Sequence, residues 1–221
     1  MAAQGSLEIH PLAPRQTAHL AGSRPRVVAV ALVALAVVYV VLVRPSFLHW
    51  GATDQEIGLS LPGDTEIPAG AIVSTRALTI HAPAAQIWPW IVQIGQGRGG
   101  FYSYAWLENL FAADMHNADR ILPQFQNLKV GDRVSLQADG PASIVTQIEP
   151  GRALVMQGWT FYLQPIDEQT TRLIVRYPLV PGATPFEKFY KFAIFEPAHF
   201  IMESGMMMGI KDRAERNGGT P

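Results

Sequence analysis

Between Arg26 and Arg44 the chain reads VVAVALVALAVVYVVLV, seventeen consecutive residues (27–43) without a charge. A run of that length is the shortest that crosses the hydrocarbon core of a bilayer as a helix. It has no polar face, so it suits lipid better than the one-sided packing of a soluble core helix. A cleaved secretory signal would have a shorter apolar core followed by small residues, whereas RPSFLHWGA follows here, with bulky Phe47, Leu48 and His49. The expectation is an uncleaved transmembrane anchor with a domain tethered behind it. Arg15, Arg24 and Arg26 precede the run; Arg44 is the one basic residue after it before Arg76, while Asp54, Glu56, Asp64 and Glu66 follow. That bias places the N-terminus in the cytoplasm and the domain on the extracytoplasmic side of a single-pass cell-membrane protein.

The rest of the chain divides around this segment. Residues 1–26, rich in Ala, Pro, Arg and Ser, read as a disordered cytoplasmic tail. Residues 44–70 are a linker or arm, broken by Pro45, Pro62, Gly63, Pro68 and Gly70, in which Trp50, Ile57, Leu59 and Leu61 offer apolar contacts to the domain. Residues 71–216 form one domain by length and 217–221 a tail. With 17 Lys and Arg against 18 Asp and Glu, there is no basic excess for a nucleic-acid partner. No cysteine is present, which excludes a disulfide framework, a thiolate nucleophile and sulfur-ligated zinc. Chemistry must use oxygen and nitrogen groups.

Within the domain, AIVSTRALTI at 71–80 reads as a strand. Ile87, Trp90, Ile91 and Ile94 fall at helical spacing behind Pro83, with Pro89 set to kink or shorten that helix. GQGRGG at 95–100 is a loop, and FYSYAWLENLF at 101–111 a short helix with apolar residues on nearly every face. Four β runs follow, at 133–137, 142–149, 153–164 with a break at Gly158, and 171–177, joined by turn residues that suit an antiparallel meander. The end has helical periodicity, with Pro197 dividing two pieces. Strand, helices, antiparallel strands and a long terminal helix make an α+β fold, in which that helix closes a curved sheet over an apolar cavity.

The strings WGATDQE at 50–56, APAAQIWPWIVQIGQGRGGFYSYAWLENL at 82–110, DMHNADRILPQFQNLKVGD at 114–132 and EPAHFIMESGMMMGIK at 196–211 resemble a bacterial branch of the SRPBCC superfamily. This helix-grip superfamily includes START lipid-transfer domains and polyketide cyclase-like proteins. The likeness covers roughly residues 50–213 and implies a curved antiparallel sheet wrapped around a C-terminal helix, with a hydrophobic cavity and a spread of activities.

Several constellations bear on function. Gly95, Gly97 and Gly100 match G-x-G-x-x-G, but the parallel strand and βαβ unit of a dinucleotide site are missing, so the glycines read as a mobile or closely packed loop with Arg98 at its tip. Arg98 is either a ligand for a carboxylate or phosphate head group or a solvated side chain. Trp88, Phe101, Tyr102, Tyr104 and Trp106 are either core or the wall of a cavity for a planar or long-chain ligand, as are Trp159 and Phe161 among the strands. Glu108 is either exposed or, if buried toward the cavity, an acid or base with a raised pKa. Asp114, His116 and Asp119 form D-x-H-x-x-D; only one His is local, so a loop network is favoured over a metal site. Glu196, His199 and Glu203 share a helix face, where His199 either looks into the cavity or pairs with Glu203. Met202 and Met206 suit a varied apolar ligand. No metal is expected, and no motif calls for a cofactor.

The sequence therefore points to a membrane-anchored domain that binds a hydrophobic small molecule: a lipid, an isoprenoid or a polyketide-like compound. The alternatives are a cyclase or dehydratase-like enzyme, with Tyr102, Glu108, His116 and His199 as acid-base candidates, and a membrane assembly module. The oligomeric state is left open.

Overall fold

The structure, a computed structural model, describes residues 24–110 and 113–217. Most of the segment read from sequence as an N-terminal tail, Phe111 and Ala112, and residues 218–221 lie outside the described residues. The chain divides into two compact units, Met1–Val43 and Arg44–Pro221. In the first, α1 (Arg24–Val38) continues into a π turn, Tyr39–Val43. The helical stretch Pro25–Leu48 is long and apolar enough to cross a membrane. The π turn ends two residues before Pro45, whose ring removes one helical donor and crowds the carbonyl four residues back, at Val41.

The second unit is α+β. Its sheet comprises β1 (Ile72–Ile80), β2 (Arg133–Ser135), β3 (Ala142–Glu149), β4 (Ala153–Met156), β5 (Trp159–Pro165) and β6 (Thr171–Leu179). The order is β1-β6-β5-β4-β3-β2, antiparallel throughout, with β1 paired to β6 from Ile72↔Leu179 to Ile80↔Thr171. The β4–β5 hairpin turns on Gln157 and Gly158, both at positive φ, as a two-residue loop between strands of right-handed twist requires.

The curved sheet wraps around α7 (Glu196–Asn217), the long terminal helix of a helix-grip fold. On this inner face Trp159, Phe161, Leu173, Val175 and Met156 meet Met206, Met207, Ile210 and Ala214 of α7, with Ile87, Trp90 and Ile91 of α4 (Ala84–Val92) completing the core. Pro197 does not split the terminal helix outright. α6 (Pro185–Tyr190) runs through a π turn, Lys191–Phe195, into α7, and the wider turn absorbs the donor that Pro197 lacks.

In residues 44–70, α2 (Arg44–Leu48) packs at the β1 edge of the sheet against α7, and the stretch that includes α3 (Asp54–Ile57) covers the outer face. Leu61 packs against Ala77 and Ile174. Buried Arg176 donates to the carbonyls of Glu56, Ile57 and Leu59 and to Asp64, while Arg172 pairs with Glu56 at 2.7 Å. The two arginines satisfy carbonyls that an irregular segment would otherwise bury unpaired.

Candidate functional site

α5 (Ala105–Leu110) reverses the usual amphipathic arrangement. Trp106 and Leu110 stand in solvent, while Glu108, its one charged residue, is buried. The helix is seated by the loop before it. Tyr102 has a φ of 59°, its N–H donates to Asn117 Oδ1 at 2.8 Å, and Asn117 Nδ2 donates back to the Ser103 carbonyl at 2.9 Å. Gly205 and Gly209 of α7 allow this loop to approach; a Cβ at Gly209 would collide with the Tyr102 carbonyl, and one at Gly205 would lie 2.8 Å from the Tyr104 ring. Ser103 Oγ then donates to Glu108 Oε1 at 2.6 Å, and Glu108 Oε2 is buried without a partner among the described residues. Burial raises the Glu108 carboxyl above its ordinary value, opposed by the Ser103 bond.

Glu108 is among the residues that line a cavity of about 500 Å³ between the sheet and α7. Its apolar wall includes Phe101, Met156, Trp159, Met202 and Met206, with Phe101 and Trp159 stacked at 5.9 Å between ring centres. Ser143, Gln157, Tyr177, His199 and Glu203 also line it.

Behind His199 lies a charged cluster. Arg76 of β1 and Glu203 of α7 form an ion pair with both side chains almost wholly buried. Glu203 also accepts from Trp159 Nε1 at 3.0 Å, and Arg76 donates through Nε to the Phe47 carbonyl at 2.8 Å. Arg76 approaches His199 Nδ1 at 3.4 Å; because a guanidinium can only donate, the imidazole proton belongs on Nε2. His199 Nε2 is 3.9 Å from Glu203, an ion-pair distance rather than a hydrogen bond, and its ring lies 4.1 Å from that of Tyr177. Burial holds His199 below the usual imidazole value, Glu203 pulling the other way; burial and the Glu203 charge push Tyr177 up. At neutral pH the cluster presents an uncharged imidazole and phenol over a compensated ion pair.

The structure separates the sequence candidates. Phe101, Glu108, Trp159, His199, Met202, Glu203 and Met206 line the cavity. Tyr102 does not: it is core, its hydroxyl donates to the Trp90 carbonyl at 3.0 Å, and burial raises its pKa. Phe161 is buried behind Trp159, and Trp88 packs against the core rim. Tyr104 and Trp106 are exposed outside the cavity wall. Arg98 is turned inward, donating to the carbonyls of Ile94, Val92 and Phe125, so the 95–100 loop is closely packed, with Gly95 and Gly100 bridged to each other. His116 is exposed beside Asp114, while Asp119 pairs with Arg213 at 3.1 Å. Sequence reasoning missed Arg76, Tyr177, Ser143 and Gln157. Only Arg76 carried a signal, as a lone charge within an otherwise uncharged strand.

No protein-family profile matches the chain, and no curated protein matches it. Solved structures with partial similarity include a conserved protein of unknown function from Enterococcus faecalis, 14% identical over 70% of this chain and 78% of that one, with a TM-score of 0.37. The Aha1 dimer from Colwellia psychrerythraea is 15% identical over 67% and 99%, TM-score 0.39. The Zhui aromatase/cyclase from a Streptomyces species is 12% identical over 68% and 99%, TM-score 0.34. At these levels none of them transfers a ligand or an activity to this chain.

Proposed function

We propose that this chain is a membrane-anchored domain of the SRPBCC type that binds an apolar small molecule, a lipid, isoprenoid or polyketide-like compound, in the cavity beneath α7. The anchor is the helical stretch that includes residues 27–43, with the N-terminus cytoplasmic and the domain extracytoplasmic. The carrying observation is the cavity: its volume of about 500 Å³ falls in the range of small-molecule sites, and its largely apolar lining includes Glu108, a buried carboxyl with one oxygen that has no partner among the described residues. A protonated Glu108 donates a hydrogen bond to a ligand carbonyl or hydroxyl, satisfying an atom that otherwise has no partner. Tethering raises the domain's concentration beside a ligand that partitions into lipid.

The test is a titration of the full chain in nanodiscs with a dansyl-labelled fatty acid, comparing wild type with Met202→Trp, which fills the cavity from α7. The proposal expects saturable emission in wild type and its loss in the variant; equal signals in both would refute it.

Glu108 also favours a second reading, acid-base catalysis of the cyclase or dehydratase kind. A carboxyl that keeps its proton to higher pH is suited to general acid catalysis, with His199 on the same cavity. Under this reading Glu108→Gln binds a polyketide-like substrate but does not turn it over; undiminished turnover in that variant would refute it.

A further inference from the structure

The segment joining β6 to α7 exposes side chains that a water-soluble domain normally covers. Phe186, Phe189 and Ile194 have 77%, 65% and 54% of their surface exposed, and Tyr190 and Phe195 are exposed beside them. The stripe continues along α7 through Ile201 and Met208, and the spacing 186, 190, 194, 201, 208 keeps it on one side of the helix. Lys188 is exposed within it, and Lys191 turns back to donate to the Val180 carbonyl at 2.8 Å. Glu187, the one acid of residues 185–195, is engaged by the capping box at Thr184. Aromatic and aliphatic side chains interleaved with lysines, their one acid engaged, suit the boundary between lipid headgroups and acyl chains.

Contacts inside the domain indicate what covers this stripe. Arg44, the residue that follows the uncharged run, donates to both carboxylate oxygens of Glu196, at 2.8 and 2.7 Å, and its guanidinium lies 5.3 Å from the centre of the Phe192 ring. Phe47 stacks on Phe200 at 4.6 Å. These contacts hold the residues that directly follow the uncharged run against the π turn and the start of α7. On the anchored reading, in which the uncharged run 27–43 crosses the bilayer, the side chains that directly follow it lie at the membrane surface, together with those they touch. The stripe also adjoins the candidate site: Phe195 and Val180 line both the cavity beneath α7 and a second hollow of about 510 Å³ lined by Arg44, Lys188 and Lys191.

We propose that residues 185–195 lie in the interface of the bilayer that holds the anchor and form the portal through which an apolar ligand passes from the lipid, past Phe195, into the cavity. The inference rests on the anchored, ligand-binding reading above. Its occupant is the lipid leaflet on the domain's side of the membrane.

The absence of cysteine lets a single nitroxide be attached anywhere in the full chain. Phe189→Cys and Ile194→Cys, labelled and reconstituted in phosphatidylcholine–phosphatidylglycerol vesicles, are compared with Glu168→Cys in the β5–β6 turn. That turn lies at the far end of nine-residue β6, about 30 Å from α6. Collision rates with oxygen and with a water-soluble nickel chelate report depth, and near-UV circular dichroism reports the fold of each labelled variant. The expected result is a positive depth parameter at 189 and 194, a negative one at 168, and a chain that floats with vesicles and resists carbonate extraction. A floating chain whose probes at 189 and 194 are as wet as that at 168, or shielded from both reagents as under a protein partner or a second copy, overturns the portal and leaves the anchor standing. A chain that does not float overturns the anchor and the portal together.

Discussion

Replacing Glu108 by Gln keeps the acceptor that Ser103 uses and removes the charge that α5 buries. The wild-type carboxyl is raised above its ordinary 4.5 because ionising it strands Oε2 away from water, and only Oε1 is compensated. The sign follows from linkage. Below the ordinary value both the folded and unfolded carboxyls hold their protons; above it the unfolded chain ionises first, so the folded state binds more protons and loses stability as pH rises through its own raised pKa. Leaving one buried acceptor without a partner costs about 1–3 kcal/mol. For a unit of this size that corresponds to about 2–4 °C per kcal/mol, so Glu108→Gln should gain about 2–12 °C on wild type between acid and neutral pH. Thermal unfolding followed by tryptophan fluorescence in a mild detergent, scanned from pH 4 to 8, reads the difference. A difference that does not change with pH, or one that shrinks as pH rises, would show that the carboxylate is well accommodated and would remove the basis for a protonated Glu108 in the cavity.

Arg76→Met should destabilise by about 3–5 kcal/mol, because Glu203 is left charged and buried, whereas Arg76→Met with Glu203→Leu should recover most of that loss. Additive single effects in a urea double-mutant cycle would contradict the pairing. Gly209→Ala should cost about 1–3 kcal/mol and loosen the Tyr102 loop, read as a lowered midpoint and faster amide exchange at Ser103; unchanged stability would mean that α7 and the loop are not in close contact. Arg98→Ala should lower the midpoint, since three carbonyls lose a donor, while leaving uptake of the dansyl fatty acid intact; lost uptake at unchanged stability would restore Arg98 as a head-group ligand.

Local chemistry made most of the sheet readable. β3 follows the 142–149 run, the break at Gly158 falls where Gln157 and Gly158 turn the chain, and the β-branched residues of 71–80 and 171–177 become the long β1–β6 pair. Period and turn residues act over a few positions, and that is the range over which a sequence speaks directly. The terminal helix was legible for the same reason, although a proline that reads as a break is carried through by a π turn. The site depends on longer range. Arg76 and Glu203 are brought together across 127 positions, and nothing local at either marks the other. The aromatic cluster at 101–106 looked uniform, yet a positive φ at Tyr102 turns its ring into the core, leaves Phe101 on the cavity and throws Trp106 outward. Arg98 looked free because its acceptors are backbone carbonyls, which carry no sequence signature.

Native mass spectrometry of the full chain released from nanodiscs, for wild type and Met202→Trp, tests the central claim most directly. The account predicts a one-to-one apolar adduct of a few hundred daltons, of a size suited to a cavity of about 500 Å³, on wild type and its absence from the cavity-filled variant. The bare mass for both proteins, after exposure to lipid, isoprenoid and polyketide-like extracts, would contradict it.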